Sequence, residues 1–329
     1  MSYEAERGTS RSGFLKQAAG ASIAVAGAGV GAGALASSAG AASGKSYTGG
    51  RFQLFLDDGT GNLVSVGSPA GFDGGTPELE VIADPPGSDG VQRYRPGRPV
   101  FGNITFQVGA RMGKPMYDWI KASFDHKYER KSGAIHAADS NRMDKGGRAI
   151  STMQINSVTI PALDAASKDP AYLAVGCTVS NVTDIPASGQ PVDVAKQKHW
   201  VPSNYVFEID GVDTSRVAKI DSFTWKCSIA ADGSAVTEVS RIKVKFPWLD
   251  AASPPGSWAR WYQNLANGVN DERNGTLTLG SVDGAALTFH LLNLGLVKLG
   301  PDPSAPTRRF NAELYCEEMV WDSRSQVWL

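Results

Sequence analysis

The chain has 329 residues, 42% of them hydrophobic, and a formal net charge of -1. That length suits about two domains, each with apolar residues enough for a sizeable core. The balanced charge excludes the strong basic or acidic bias expected of a protein built to coat nucleic acid or a membrane surface. Glycine (37) and proline (18) are frequent, as in a chain of turns and strands.

Residues 1–50 differ from the rest. Ser10-Arg-Ser-Gly-Phe-Leu-Lys16 precedes an Ala/Gly-rich stretch from Ala18 to Ala42. A basic start, a mildly apolar run and small residues at Ala39 to Ala42 follow the order of a secretory signal. Ser10 to Lys16 also resembles the twin-arginine export signal, except that Ser12 stands where the second arginine belongs. Two readings follow: an Ala/Gly-rich arm too poor in apolar surface to fold alone, or an export signal. The glycines between Gly20 and Gly40, with only Ile23, Val25, Val30 and Leu35 among them, argue against a membrane-spanning helix.

From Arg51 onward the sequence reads as strands. Arg51–Asp57 (RFQLFLD) opens the fold and a long loop runs to Gly75. Glu78–Ala83 alternates as a half-buried strand does, and Asn103–Val108 alternates with Ile104, Phe106 and Val108 on one face. Pro115 suits a first helical turn, and Met116, Trp119, Ile120 and Phe124 recur at helical spacing. Gly133 reads as a turn before a strand at Ala134, and further strands are expected over Arg148–Ile160 and Tyr172–Val182. Residues 184–204 read as a linker.

The same order then begins again. Tyr205–Gly211 answers to the opening strand, Ser222–Ile229 to Glu78–Ala83, and Arg241–Phe246 to Asn103–Val108. A helix with Trp258, Trp261, Tyr262, Leu265 and Ala266 follows, and Ala286–Leu299 is matched with Ala149–Leu163. Trp119 stands fourteen residues before Gly133, and Trp261 fourteen before Gly275. The order predicts an all-β chain of two tandem homologous domains, 51–183 and 205–329, each with one short helix. Trp119 and Trp261 are expected to anchor the helices, and Gly133 and Gly275 to set the turns after them.

Gly102–Val108 (GNITFQV), Lys114–Lys121 (KPMYDWIK) and Lys131–Ile135 (KSGAI) resemble the tail-tube proteins of contractile phages and related injection systems. That resemblance spans about Arg51 to Asp322 and implies a β-barrel or curled β-sandwich with a helix at its side. It further implies subunits that join edge to edge into a ring around a channel. A trimer of a two-domain chain would present six similar domains, a geometry suited to the junction of tube and baseplate. The implied partners are other copies of the chain and other tube, sheath or baseplate proteins, with nucleic acid only as cargo of the lumen and no membrane. The particle would assemble in the cytoplasm.

No enzymatic activity, cofactor or metal is expected. The cysteines, Cys177, Cys227 and Cys316, are odd in number, widely spaced and outside any metal or redox motif, so they read as small buried hydrophobes. His126, His136, His199 and His290 sit in no recognised catalytic motif. Asp57–Asn62 (DDGTGN) has the polar look of a calcium loop without its closing glutamate, and reads as a hairpin turn. Arg93, Arg95 and Arg98 flank Tyr94 in a short cluster, read as a subunit contact or solvated loop rather than a nucleic-acid site. Lys127–Lys131 reads as charges at a helix end. The alternative class is an exported two-domain β-sandwich binding module for a carbohydrate or protein ligand, with Trp200, Trp321 and Trp328 the rings least tied to a core and so free to stack on sugars. A third class, a secreted hydrolase, would need a cleft lined by titratable groups from both halves.

Overall fold

The computed structural model describes residues 51–110, 112–193, 198–230, 232–247, 257–281, 284, 286–305 and 309–322. The expectations for residues 1–50 and for Trp328 lie outside these. The first part of the chain supplies strands β1 (Arg51–Asp57), β2 (Leu63–Gly67), β3 (Gly71–Gly74), β4 (Pro77–Ala83), β5 (Tyr94–Phe101) and β6 (Ile104–Val108). Helix α1 (Lys114–Phe124) comes next, then β7 (Lys131–Ala138), β8 (Asp144–Ile160), β9 (Leu163–Asp164), β10 (Leu173–Thr178) and β11 (Asn181–Ile185). The second part supplies β12 (Trp200–Ile209), β13 (Lys219–Ile220), β14 (Phe223–Ile229), β15 (Ala235–Val239) and β16 (Ile242–Pro247). Helix α2 (Trp258–Ala266), β17 (Arg273–Ser281), β18 (Ala286–Pro301) and β19 (Arg309–Trp321) complete it. The fold is all-β, with helices only at α1 and α2 among the described residues.

Alternation places the core. Leu54 and Leu56 of β1, Ile104, Phe106 and Val108 of β6, and Ile242, Val244 and Phe246 of β16 are buried at every second position. Pro115 occupies the first turn of α1, where a missing N–H costs nothing. Ser257 caps α2, its hydroxyl accepting from the Arg260 amide at 3.2 Å. Trp119 and Trp261 are both buried, and each donates its indole N–H to a carbonyl ten residues on, Glu129 at 2.9 Å and Asp271 at 2.7 Å.

One sheet runs β2-β1-β7-β8-β10-β6-β3 and the other β12-β17-β18-β19-β16-β13-β9. The order from β1 to β3 and the order from β12 to β13 correspond strand for strand, with the helix between β6 and β7 in one and between β16 and β17 in the other. The two parts share one hydrophobic cluster. Phe124 of α1 stacks on Trp225 of β14 with ring centroids 4.5 Å apart, and also meets Phe289 and Trp321.

Several expectations change. Residues 59–75 form two strands rather than a loop: β2 pairs with β1 and β3 with β6. Glu78–Ala83 is not half-buried: among the described residues it pairs only with β5, and all but Ile82 of its side chains are exposed. Of the segment 184–204, the two ends belong to strands, since β11 reaches Ile185 and β12 begins at Trp200, and residues 186–199 lie between them. Gly133 and Gly275 set no turn. They lie inside β7 and β17, where an added Cβ would stand 2.4 Å from the Phe55 carbonyl oxygen and 2.6 Å from that of Glu208. The need there is close approach of two backbones.

Replacing Trp119 with Ala removes a large buried ring and its indole hydrogen bond. The expected cost is about 3–5 kcal/mol, read as a lower midpoint in chemical denaturation. Wild-type stability would contradict the anchoring role.

Candidate assembly interface

The correspondence between the two parts extends to single hydrogen bonds. Lys131 Nζ donates to the Asp57 carbonyl at 3.4 Å, and Arg273 Nη1 to the Asp210 carbonyl at 3.0 Å. The Thr152 amide donates to Ser132 Oγ and the Asn293 amide to Asn274 Oδ1, and both Thr152 and Asn293 have a φ of 53°. The Gly102 amide donates to the Thr76 carbonyl, and the Ser240 amide to the Thr224 carbonyl. Asn156 is skipped in the ladder between β8 and β10, and Val297 in the ladder between β18 and β19. These pairs set the register. Ala149 answers to His290 rather than Ala286, since they pair with Ala134 and Thr276 in turn. Cys316 falls two places beyond the position of Cys177, because Leu314 and Cys177 pair with Ile242 and Ile104.

The two parts join by exchanging strands. Hairpin β14–β15 leaves the second part and adds to the edge of β8, pairing Phe223 with Ile160, Thr224 with Thr159, Trp225 with Val158 and Lys226 with Ser157. Thr159 and Thr224 share a hydroxyl hydrogen bond of 2.9 Å across that ladder. In return, β9 of the first part covers the edge of β13. The contact is head to tail: each side offers a different surface.

The corresponding groups at the other ends carry no such partner among the described residues. Hairpin β4–β5 holds the place of β14–β15 in chain order but pairs with no sheet. Leu79, Val81 and Tyr94 on it are 61%, 68% and 65% exposed. β17 borders β18 only as far as Leu294, so Gly295–Pro301 is laddered to β19 alone. β3 ends its sheet where β9 ends the other. Helix α2 keeps Trp258 and Trp261 buried, but Tyr262 is 38% exposed where α1 buries Ile120.

The chemical candidates serve as structural ties. In the turn at 57–62, Asp57 Oδ1 accepts from the Gly59 and Gly61 amides, and Asp58 Oδ1 from the amide and hydroxyl of Thr60. Arg93, Arg95 and Arg98 face Asp89, Asp84 and Glu80 along the ribbon, so each has an acidic neighbour. Lys131 belongs to β7, not to a helix end, and turns onto the sheet. Cys177, Cys227 and Cys316 are free and buried, and burial pushes each thiol up, Cys316 to about 12. Every described tryptophan is buried, Trp200 and Trp321 included, so none of these rings is open to a sugar. Among the described residues no cluster of three His, Cys, Asp or Glu side chains is placed to hold a metal, and no helix is long and apolar enough to cross a membrane.

Three of the four histidines are paired, each separately. His126 lies 2.8 Å from Tyr128 Oη and 3.5 Å from Glu318. His290 lies 3.3 Å from Asp322, and with Glu208, Asp210 and Thr276 it lines a shallow depression. His136 meets Asp144 at 3.3 Å, and Ser188 donates to the other oxygen of that carboxylate at 2.6 Å. Here the carboxylate stands between hydroxyl and imidazole, so the imidazole is not the base that a serine nucleophile requires. Asp144 instead ties the segment at Ser188 to the start of β8. Burial alone would raise its pKa, but the Ser188 hydroxyl and amide, the Gly146 amide and His136 hold it well below the usual carboxylate range. A depressed native pKa stabilises the fold above the unfolded value, and that contribution is lost as pH falls below about 3.9 toward the native value. Asp144→Asn should therefore lower the thermal midpoint at pH 7 and flatten its decline between about pH 4 and 2. An unchanged acid profile would contradict the tie.

No protein-family model and no curated protein matches the chain. Among solved structures, the cryo-EM structure of the anti-feeding prophage cap, the AFP tube terminating cap, aligns with 47% of this chain and 99% of its own, at 24% identity and a TM-score of 0.36. A likeness of that size carries no argument about function.

Proposed function

We propose that this chain is a structural component of a phage-tail-like tube, assembling through its sheet edges into a ring around a channel, as tube shaft or as the piece that ends the tube. The observation that carries the reading is the head-to-tail join between its two parts. One part gives a hairpin and receives a short strand, and the same donor and acceptor features recur, unpaired, on the rest of the described chain. A heterologous contact repeated by rotation closes into a ring. Domain duplication accounts for the correspondence: 51–183 and 205–329 are two copies of one tail-tube-like unit, anchored by Trp119 and Trp261. Three chains would then supply six units, a number suited to the junction of tube and baseplate.

The partners on this reading are further copies of the chain and other tube, sheath or baseplate proteins, and no reacting group is required. Exposed ribbons and open strand edges are an aggregation hazard that a monomer has reason to suppress, and their retention supports assembly. Assembly takes place in the cytoplasm.

Light scattering and negative-stain imaging of the purified chain test this directly. Rings or short tubes with threefold or pseudo-sixfold symmetry are expected. A monomer that forms no ring at high concentration would overturn the proposal.

A further inference from the structure

Resting on that reading, we infer that the occupant of the open edge of β18 is hairpin β4–β5 of a second copy, in the register that β14 takes on β8. The register follows from the paired positions. Thr76 answers to Thr224, because Gly102 and Ser240 bond them alike. The skipped residues Asn156 and Val297 make Ser157 answer to Lys298 and Val158 to Leu299. Carrying the β14–β8 pairs across sets Thr76 opposite Gly300, Pro77 opposite Leu299, and Glu78 opposite Lys298 of the second copy.

Three observations favour this occupant. Glu78 and Lys298 are both exposed and of opposite charge, and directly opposed charges of unlike sign stabilise a strand pair. Leu79 and Val297, next along, are both exposed apolar residues. The two edges of the ribbon also differ: β4 has a single proline, Pro77 at its first residue, whereas β5 carries Pro96 and Pro99 inside the strand, and none of the three has an N–H to give. In the internal join it is likewise the first strand of the hairpin, β14, that meets β8 while β15 lies outside.

The acceptor side is open in the same way. Gly300 has nothing within 4 Å of an added Cβ, and Tyr262 of α2, a helix packed beside β18, stands uncovered where α1 meets its neighbouring part. A two-stranded ribbon alone is marginally stable in water, so docking would also order the donor.

The test uses the full chain with Glu78→Cys and Lys298→Cys made as separate variants, since the three native thiols are buried. Cβ atoms of opposed residues lie about 4.5–5.5 Å apart, within reach of a short reagent with two thiol-alkylating groups. Mixing the two variants should convert up to about half of the chains, the statistical share in a head-to-tail ring, to a covalent dimer, while each alone, or Lys298→Cys mixed with Val236→Cys on the outer strand of the internal hairpin, stays monomeric on a denaturing gel. Glu78→Lys should abolish assembly, and Lys298→Glu in the same chain should restore it. Rings without preferential cross-linking would overturn the hairpin placement and leave the ring reading intact. A chain that neither assembles nor cross-links would overturn both. Cross-linked open chains without rings would support the docking and overturn closure.

Discussion

Strand β8 must satisfy backbone groups along two edges over 17 residues, and much else in the structure follows from how it does so. β7 borders one edge as far as Met153, and β11 and β10 border the other. From Ser157 to Ile160 the first edge is closed by β14, which comes from the other part of the chain. An unpaired strand buried there would leave donors and acceptors without water or protein, at a cost comparable to a lost hydrogen bond for each. The exchange therefore ties the two parts into one folding unit. Phe124, Trp225, Phe289 and Trp321 then close the junction with aromatic contacts.

The same constraint applied to β18 has no internal solution among the described residues. Its first residues are bordered by β17, and its last run beside β19 alone. On the proposed assembly a second copy supplies what the first lacks, through its β4–β5. Chemistry-bearing side chains fit this picture as ties: Asp144 holds a loop, the thiols fill space, and the ribbon arginines face carboxylates.

The strand faces and the Trp helices were legible because they follow from periodicity. Ile104, Phe106 and Val108 alternate, and Trp119 falls on the apolar stripe of α1. The fourteen-residue spacing from Trp119 to Gly133 is repeated at Trp261 and Gly275, although the glycines act by backbone approach rather than by turning. What periodicity does not encode is what lies across a strand. Glu78–Ala83 and Phe223–Ile229 both read as strands, yet one is exposed and the other lies on β8. The register at Ala149 is not legible in the sequence because two alternating strands match equally well after an even slip, and the cross-strand pairs and the bulges at Asn156 and Val297 remove the ambiguity. β2 was missed despite Leu63-Val-Ser-Val66, whose alternation is short and set among glycines that suggested a loop. The proposed interface, being a relation between copies, leaves only an open strand edge and an opposite charge as its trace.

The measurement that bears most directly on the central claim is amide hydrogen exchange as a function of protein concentration. The amides of Glu78 and Leu79 in β4 and of Val297–Gly300 in β18 should exchange rapidly at low concentration. They should become protected together as copies associate, while β14 stays protected throughout. Fast exchange at both segments in the assembled state would contradict the account, because the open edges would then be paired with nothing.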